Sequence, residues 1–349
     1  SLRSQVYCSS RDDPGSGELD LLPRMPAFPM SHTEIHESSI PLHCGGMRCD
    51  AALAQAFPQF SRSRLSAWLK DGQILVEGRT AKPREPVRGG ESVRLTAEVE
   101  TAISDSAEDI ALDILAEDPD FFVINKPAGL VVHPGAGNRT GTLVNALLHH
   151  DPDLSALPRA GVVHRLDKDT SGVMVVARTL EAHHTLIKAL ALRQVRREYL
   201  ALVNGCVIAG GTVDEPIGRH PTDRLRQAVV HTGKPAVSHY RVAERFRAHT
   251  LLRVSLETGR THQIRVHLSH LRWPIVGDPL YGGSLRIPAG ASEEVKVALR
   301  GFRRQALHAE TLAFQHPRRP DEEVRTSAPV PEDYRILLNI IRSEVMPER

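Results

Sequence analysis

Short runs of β-branched and other apolar residues, each ended by a turn, are the feature that most constrains how this chain can fold. They recur from near the middle of the sequence onwards, at 162–163, 173–176, 200–203 and 251–256. Runs of this length, bounded by turn residues, are typical of strands, and short helical stretches lie between them. The pattern predicts a mixed α/β domain built on a large sheet.

Length and composition set further limits. With 349 residues, the chain can form one large domain and a smaller one. Its longest apolar runs are far too short to cross a bilayer, and charged residues interrupt the first thirteen positions, so we expect a cytoplasmic protein without a membrane partner. The cysteines form no Cys-x-x-Cys pair, which predicts reduced thiols rather than a metal site; they are Cys8, Cys44, Cys49 and Cys206.

The net charge of +2 conceals two oppositely charged stretches. Residues 98–120 contain nine acidic residues and no Lys or Arg. Residues 219–272 contain eleven basic residues against three acidic ones, a local balance of +8. A basic surface of this kind predicts a polyanion partner, although arginine-rich strands with solvated faces would give the same count.

Changes in composition divide the chain into four segments. Residues 1–39 are rich in Ser, Pro and Gly without a sustained period, and predict a flexible N-terminal tail. A compact module follows at 40–97, then an acidic linker at 98–117. The large domain occupies 118–345.

The compact module has the pattern of two short helices followed by strands. Apolar residues at helical spacing predict the helices: Ala52, Leu53, Ala56 and Phe57 in the first, and Leu65, Trp68 and Leu69 in the second. Gly72 stands where the second helix should end, and a short strand follows at 74–76.

This module resembles the S4-type RNA-binding domain in its helix order, its Ser-Arg-Ser-Arg entry at 61–64 and its turn at Gly78. The first helix of that family usually opens with Gly-x-Arg-Leu-Asp, whereas here Cys49 replaces the Leu. The resemblance implies an α/β fold that grips structured RNA. The residues it implies for that contact are Arg48, Arg62, Arg64 and Lys70. A basic amphipathic helix without a function is the alternative.

A polar loop between two apolar runs is the strongest catalytic candidate. The stretch 161–172 reads GVVHRLDKDTSG, and polar loops held by rigid strands commonly carry catalytic groups. Asp167 has Arg165 and Lys168 as near neighbours, and cations stabilise an ionised carboxylate that could attack a substrate. A structural Asp in a turn is the alternative, and Asp169 is equally eligible from charge pattern alone.

The stretch 256–268, LETGRTHQIRVHL, predicts a helix that begins near His262 with Thr261 as its N-cap. Arg265 would then lie in the first turns, where a cation opposes the helix dipole. An anionic partner would offset that cost, and Asp167 is the natural candidate. The histidines at 262, 267 and 270 could suggest a metal site, but no acidic or Cys ligands stand at suitable spacing, so polar packing or RNA contact is favoured.

A third stretch, RREYLALV at 196–203, places Tyr199, Ala201 and Val203 on one face of a strand. An inward-facing Tyr beside a nucleotide pocket could stack on a base and offer a phenol to a proton. An ordinary core Tyr with a hydrogen-bonded hydroxyl is equally compatible with this pattern.

Taken together, these stretches resemble pseudouridine synthases of the ribosomal large-subunit kind over about residues 40–340. The motifs INKPAGLVVHPG, GVVHRLDKDTSGVMVVA, REYLALVNG, GTVDEPIGRHP, GKPAVSHY, ETGRTHQIRVHL, VGDPLYGG and RQALHA appear in order. The resemblance is closest to the D subtype, which acts on 23S rRNA in the stem-loop at the subunit interface. It implies an α+β fold with a large mixed, mainly antiparallel sheet.

The resemblance also implies roles for individual residues. Asp167 matches the catalytic Asp, Tyr199 the base-stacking Tyr and Arg265 the Arg that pairs with the Asp. Ile264 matches a residue that lines the base pocket, and Arg165 matches the one that fills the RNA stack when uridine leaves it. His164, in the same His-Arg-Leu-Asp run, is a further candidate for substrate contact.

The implied reaction isomerises uridine in RNA and needs no cofactor or metal, because no group is supplied and no redox change occurs. The implied partner is 23S rRNA or a precursor of the large subunit, bound by a monomer. Three alternatives stay open: a synthase for another 23S rRNA or tRNA site, a non-catalytic RNA-binding assembly factor, and a metal-dependent nuclease or hydrolase. The second predicts loss of the Asp, Tyr or Arg, and the third predicts clustered carboxylates.

Overall fold

A computed structural model describes residues 31–57, 60, 62–100, 106–135, 138–223 and 225–344. The chain clusters into two compact units, residues 1–104 and residues 105–349.

The N-terminal unit combines two helices with a small sheet. Its elements are β1 Ser31–Ser39, α1 Cys49–Ala56, α2 Arg62–Lys70, β2 Ile74–Val76, β3 Arg79–Thr80 and β4 Ser92–Glu100. The four strands among the described residues pair antiparallel in the order β1-β4-β2-β3. As the helical spacing predicts, Leu53, Leu65 and Leu69 are buried between the helices and the sheet.

Strand β1 corrects the predicted N-terminal tail. The prediction of a flexible segment through residue 39 is wrong for 31–39, which pair with all nine residues of β4. This edge strand, SHTEIHESS, has only one large apolar residue, so its sequence carries no burial pattern. Its order comes from a backbone ladder with a distant partner, which local sequence does not report. The rest of the predicted tail, residues 1–30, lies outside the described residues.

The predicted acidic linker at 98–117 is wrong at both ends, because 98–100 belong to β4 and 114–117 to the next strand. The part at 106–113 belongs to the second unit and is fixed to it by hydrogen bonds and packing. The Glu108 carboxylate accepts from the Gly141 amide at 3.1 Å, and the Asn145 side chain donates to the Ser106 carbonyl at 2.8 Å. Leu112 packs against the core. Polar contacts and the packing of Leu112 therefore anchor this segment.

The second unit combines strands and helices, and most of its strands form one large sheet. Its strands are β5 Ile114–Glu117, β6 Phe121–Lys126, β7 Ser171–Ala177, β8 Arg196–Asn204, β9 Gly211–Asp214, β10 Ile217–Arg219, β11 Gln227–Val229, β12 Val237–Arg245, β13 His249–Leu256, β14 Leu307–Gln315 and β15 Glu323–Ser327. Its helices are α3 Leu143–His150, α4 Leu180–Ala191, α5 Gln263–His270, α6 Glu293–Gly301 and α7 Glu332–Ser343, with short 3-10 turns at 152–156 and 158–161.

Nine of the described strands form this sheet, in the order β5-β6-β7-β14-β8-β13-β12-β9, with β15 paired to β14. All of its neighbours are antiparallel except β7 and β14. The α+β fold with a large, mainly antiparallel sheet is therefore confirmed. Strand β7 is buried along its whole length, which explains its unbroken apolar sequence.

Two glycines fix the ends of the polar loop 162–170. Gly161 has φ +77, and an added Cβ would lie 1.9 Å from the Ala177 carbonyl oxygen. Gly172 has φ +121, and its Cβ would lie 2.2 Å from the Ala309 oxygen. Only glycine fits such close backbone approaches. The run at 162–163, predicted to be a strand, forms a single bridge between Val162 and Val176 instead.

Within the described residues no helix is long and apolar enough to cross a membrane. The described cysteines, Cys44, Cys49 and Cys206, are free thiols, and the first two are buried. Cys8 lies outside the described residues.

Candidate active site

Strand register brings the polar loop to the middle of the sheet. Gly172, at the start of β7, is paired with Ala309 of β14, and Ala309 is paired with Tyr199 of β8. The loop that precedes Gly172 therefore emerges beside Tyr199. This explains how residues far apart in sequence meet at one place.

A buried lysine fixes the loop through hydrogen bonds to backbone carbonyls. The ammonium of Lys126, at the end of β6, donates to the carbonyls of Pro127, Leu130 and Lys168 at 2.8–2.9 Å. Burial lowers the pKa of Lys126 to about 7, against the opposing charges of Asp169 and Asp167. One side chain thus joins the loop that follows β6 to the loop that carries Asp167.

Three further hydrogen bonds set the path of the loop. The amide of Val175 donates to Nε2 of His164 at 3.2 Å, so the ring proton of a neutral His164 is on Nδ1. The Thr170 amide donates to the Asp167 carbonyl at 3.1 Å, and the Gln305 side chain donates to the Thr170 hydroxyl at 3.0 Å. The backbone on both sides of Asp167 is therefore fixed.

The Asp167 carboxylate contacts a guanidinium from α5, as the sequence predicts. Nη1 of Arg265 donates to Oδ2 of Asp167 at 2.9 Å. Another edge of the same guanidinium binds Asp278, through Nε at 2.7 Å and Nη2 at 2.9 Å. Arg265 is 4% exposed and the side chain of Asp278 is fully buried, whereas that of Asp167 is 17% exposed.

Asp278 fixes the position of Arg265. Its Oδ1 also accepts from the amides of Leu280 and Tyr281, at 2.9 and 3.0 Å. Although burial opposes the charged form, the hydrogen bonds and charge of Asp278, assisted by Asp167, raise the pKa of Arg265. The guanidinium also lies 5.0 Å from the centre of the Tyr281 ring. Arg265 is thus a permanently charged group that Asp278 holds through Nε and Nη2, so that Nη1 is free to bind Asp167.

The start of α5 differs from the predicted cap. The residue before the helix is His262, in the left-handed conformation with φ +58, and Thr261 does not cap the helix. The His262 ring is hydrogen-bonded through Nδ1 to the Tyr281 hydroxyl at 2.8 Å, and its Nε2 lies 3.9 Å from Asp167. Burial lowers the pKa of His262, against the opposing charge of Asp167. Side-chain contacts, rather than an N-cap, therefore fix this turn.

A cavity of about 620 Å³ opens above the pair of Asp167 and Arg265. Tyr199 and Ile264, which are 6% and 4% exposed, supply apolar surface to its wall. His164 and the exposed Arg165 also line it, so the structure brings all six predicted catalytic and substrate-binding residues to one place. Burial raises the pKa of Tyr199, against the charge of nearby Arg197, so its phenol is neutral near pH 7.

The cavity lining is strongly basic. Among the described residues that form it, Asp167 is the one carboxylate. Its arginines are Arg159, Arg165, Arg197, Arg260 and Arg265. Because one of these is neutralised by Asp167 and Asp278, the remaining charges favour an anionic ligand.

His164 leads to a prediction about acid stability. Burial, together with the charge of Arg197, lowers the pKa of His164 to about 3, so the folded protein does not bind the proton that the unfolded chain takes up below about pH 6.5. Stability is therefore lost as the pH falls from about 6.5 towards 3. Between pH 7 and 5 we expect His164 to account for at most about 2 kcal/mol of this loss.

Urea unfolding at pH 7 and pH 5 checks this prediction. His164→Gln keeps an acceptor for the Val175 amide but does not titrate, so its loss between the two pH values should be smaller than that of wild type. An equal loss in both proteins would contradict the assigned role of His164.

The histidines of α5 serve packing where the structure defines their partners. His267 is buried and hydrogen-bonded to the Ser238 hydroxyl and the Glu215 carbonyl, as the preference for polar packing predicts. Within the described residues, one group offers three possible metal ligands: Asp118, Asp120 and His316. Arginines already pair with both carboxylates, at 3.3 Å (Arg319) and 2.8 Å (Arg318), and would oppose a cation.

The four predicted RNA-binding residues belong to the N-terminal unit. Arg48 and Arg62, each about half exposed, share the buried carboxylate of Asp50 at 2.8 and 3.0 Å. Lys70 is exposed at the end of α2. Arg64 lies in α2, but its side chain is outside the described part of the chain. Asp50 therefore fixes two of the four predicted cations on one surface.

Sequence reasoning missed several groups that support the site. Asp278 and Tyr281 lie in VGDPLYGG, and Lys126 lies in INKPAG, so the motifs were visible but carried no assigned role. The sequence does offer one signal for these positions. Each is an acidic, aromatic or lysine residue that stands close to a proline and a glycine. This signal does not identify the partner, which lies elsewhere in the chain.

Comparison with known proteins gives a consistent result. The family model for RNA pseudouridylate synthase matches residues 120–270. Ribosomal large subunit pseudouridine synthase D of Xanthomonas campestris pv. campestris is 58% identical over 312 residues, which cover 89% of this chain and 94% of that protein. The Escherichia coli protein of the same name is 54% identical over 300 residues, which cover 86% of this chain and 92% of that one.

A solved structure also matches. The human RNA pseudouridylate synthase domain containing 4 superposes with a TM-score of 0.53 and 28% identity, over 67% of this chain and 94% of that one. The relatives align over nearly their whole length, and the matched family region contains the strands, loop and helix that carry Asp167, Tyr199 and Arg265. The chain therefore belongs to the RNA pseudouridine synthase family, within the group of ribosomal large subunit pseudouridine synthase D.

Proposed function

We propose that this protein isomerises specific uridines of 23S rRNA to pseudouridine, with Asp167 as the catalytic residue. The observation that carries the proposal is the Asp167 carboxylate held 2.9 Å from Arg265 at the base of a basic cavity lined by Tyr199. The relatives named as ribosomal large subunit enzymes, at 54–60% identity, support the choice of substrate.

The reaction breaks the glycosidic carbon–nitrogen bond, turns the uracil and rejoins it to the ribose through ring carbon 5. Ring nitrogen 1 gains the proton that carbon 5 releases, so the product has the same formula as the substrate. No cofactor enters this balance. Asp167, exposed enough to reach a ligand, either attacks the ribose or assists loss of the base to a glycal-like intermediate.

Arg265 positions the carboxylate through a charge-assisted hydrogen bond. Tyr199 provides a ring on which the uracil stacks. Its hydroxyl oxygen is the assigned acceptor for the carbon 5 proton once the base has turned, and because the hydroxyl is neutral it releases its own proton to water in the same step. Ile264 forms the apolar wall of the base pocket.

The uridine must leave the RNA stack before it can enter the cavity, at a cost of a few kcal/mol that is smaller in a loop. Arg165, exposed at the cavity, is assigned to occupy the gap and offset part of that cost. His164 is assigned to the substrate-facing wall, where its neutral ring adds no charge.

The N-terminal unit is assigned to S4-like RNA binding, with Arg48, Arg62, Arg64 and Lys70 as its contacts. The substrate is 23S rRNA or the precursor particle that contains it. We assign the protein to the cytoplasm as a monomer that needs no metal. A synthase for another 23S rRNA site or for tRNA differs from this proposal in its RNA contacts, not in its chemistry.

Substitution of Arg62 and Arg64 by Gln should weaken RNA binding and flatten its dependence on salt. Each lost phosphate contact lowers the slope of log affinity against log salt by about one. Turnover of saturating RNA should be unchanged, because the assigned contacts act on RNA affinity and not on the chemical step at Asp167. Filter binding at several salt concentrations checks this, with the double variant Arg300→Gln/Arg335→Gln, at two exposed arginines, as a charge-matched control. An unchanged slope in the double variant would exclude the assigned contacts.

Incubation of the purified protein with unmodified 23S rRNA, with precursor particles and with tRNA tests the substrate. We expect pseudouridine in the ribosomal samples and none in the tRNA. Modification of tRNA alone would support the alternative synthase. RNA binding without pseudouridine in any sample would support a non-catalytic assembly factor.

A further inference from the structure

Arg197 of β8 is a buried cation without an anionic partner. It lies two residues before Tyr199, on the same buried face of the strand, and is 7% exposed. Its Nε is buried and has no hydrogen-bond partner among the residues that the structure describes. Within the described part of the chain, its one hydrogen bond runs from Nη2 to the Glu257 carbonyl and is 3.5 Å long. Among the described residues, no carboxylate lies within ion-pair distance of this guanidinium.

Its immediate surroundings do not compensate for that charge. The carboxylate of Asp167 is already paired with Arg265, and the adjacent His164 is neutral. An isolated buried charge is costly by several kcal/mol, so a guanidinium is rarely buried without an anion. The residues that pack around Arg197 therefore leave room for an anion that the protein itself does not supply.

The side chain faces the same cavity as Tyr199. It reaches beneath Gly259, where an added Cβ would lie only 2.8 Å from Nη1 of Arg197. Gly259 also lines the cavity, so the absence of its side chain makes room for the guanidinium at the wall. Arg196, the next residue along the chain, is exposed and pairs with Glu323 instead.

We propose that Arg197 forms a binding site for a backbone phosphodiester next to the target uridine. This inference rests on the proposed function, because it takes the cavity to hold a uridine stacked on Tyr199. The phosphodiester is the only anionic part of such a nucleotide, and a planar guanidinium can bind its two non-bridging oxygens together. A carbonyl of uracil would satisfy a hydrogen bond but would leave the charge uncompensated.

The test uses an RNA hairpin that contains a uridine modified by the wild-type protein. In two further hairpins, an uncharged methylphosphonate replaces the phosphodiester on one or the other side of that uridine. We expect Arg197→Gln to lower kcat/KM on the native hairpin by roughly 10- to 100-fold, the range for a hydrogen bond to a charged group. Arg196→Gln is the matched control and should stay near wild type.

Wild type should lose a similar factor with one of the methylphosphonate hairpins. On that hairpin Arg197→Gln should lose little more, since the contact is already absent. The inference is overturned if Arg197→Gln matches wild type on native RNA, or if the two losses multiply at both positions. Absence of wild-type activity on every RNA would instead count against the proposed function.

Gly259→Ala provides a second variant that does not remove the charge. Its Cβ would displace the end of the Arg197 side chain, so a loss of the same kind, confined to the native phosphodiester, is expected. Thermal unfolding of each variant establishes that it is folded. Full activity of a folded Gly259→Ala protein with a displaced Arg197 would also contradict the proposed contact.

Discussion

Asp167→Asn should abolish isomerisation while RNA binding is preserved. The amide has nearly the same shape as the carboxylate, and its oxygen can still accept a hydrogen bond from Arg265. It cannot attack the ribose or stabilise a positive charge that develops on the ribose. Loss of a group that acts directly on the substrate reduces turnover by about 1,000-fold or more. Affinity should be unchanged or slightly higher, because a negative charge is removed from a basic cavity.

Pseudouridine formed per enzyme, measured alongside RNA affinity, gives both quantities. Asp169→Asn is the matched control, since the charge pattern alone made Asp169 an equal candidate. Asp169 does not line the cavity, and its backbone carbonyl, rather than its carboxylate, accepts from Arg304 at 3.3 Å. Substantial activity in Asp167→Asn, or equal losses in both variants, would refute the assignment.

Arg265→Ala should lower both activity and stability, for separate reasons. Activity should fall by about 100-fold or more, because Asp167 loses the cation that orients its carboxylate. The free energy of unfolding should fall by about 3–5 kcal/mol, because Asp278 becomes a buried carboxylate without its cation. Turnover and urea unfolding measure these effects independently.

The double variant Arg265→Ala/Asp278→Ala separates the two effects. With both buried charges removed, much of the lost stability should return, whereas activity should stay low because Asp167 is still unpaired. Recovery of activity together with stability would show that Arg265 serves the fold alone.

Much of the site could be predicted because its chemistry is local in sequence. A carboxylate between two cations, and an arginine at a helix start where its charge is unfavourable, indicated a contact between positions separated by 98 residues. The strands around the loop were visible as short apolar runs, most clearly β7, which is buried on both faces. The motif order then favoured Asp167 over Asp169, and of these two residues it is Asp167 that lines the cavity.

What could not be predicted depends on partners from other parts of the chain. Nothing near Asp278 indicates that its carboxylate holds Arg265, and nothing near Lys126 indicates three carbonyl acceptors. Strand β1 is ordered by pairing with β4, not by a burial pattern of its own. The cap at Thr261 failed because side-chain contacts place His262 at that turn in a left-handed conformation.

The basic stretch 219–272 illustrates the limit of counting charges. Several of its arginines serve the fold: Arg253 pairs with Glu310 at 2.8 Å and Arg247 pairs with Glu344 at 2.9 Å. Only part of the local excess is therefore available to RNA. The cations that line the cavity come from several separate segments, which no sequence window would group together.

Mapping of pseudouridine in 23S rRNA and tRNA from cells that lack this gene tests the central claim most directly. The account predicts that specific 23S rRNA positions revert to uridine while tRNA positions are retained, and that wild type, but not Asp167→Asn, restores them. An unchanged set of pseudouridines in 23S rRNA would contradict it.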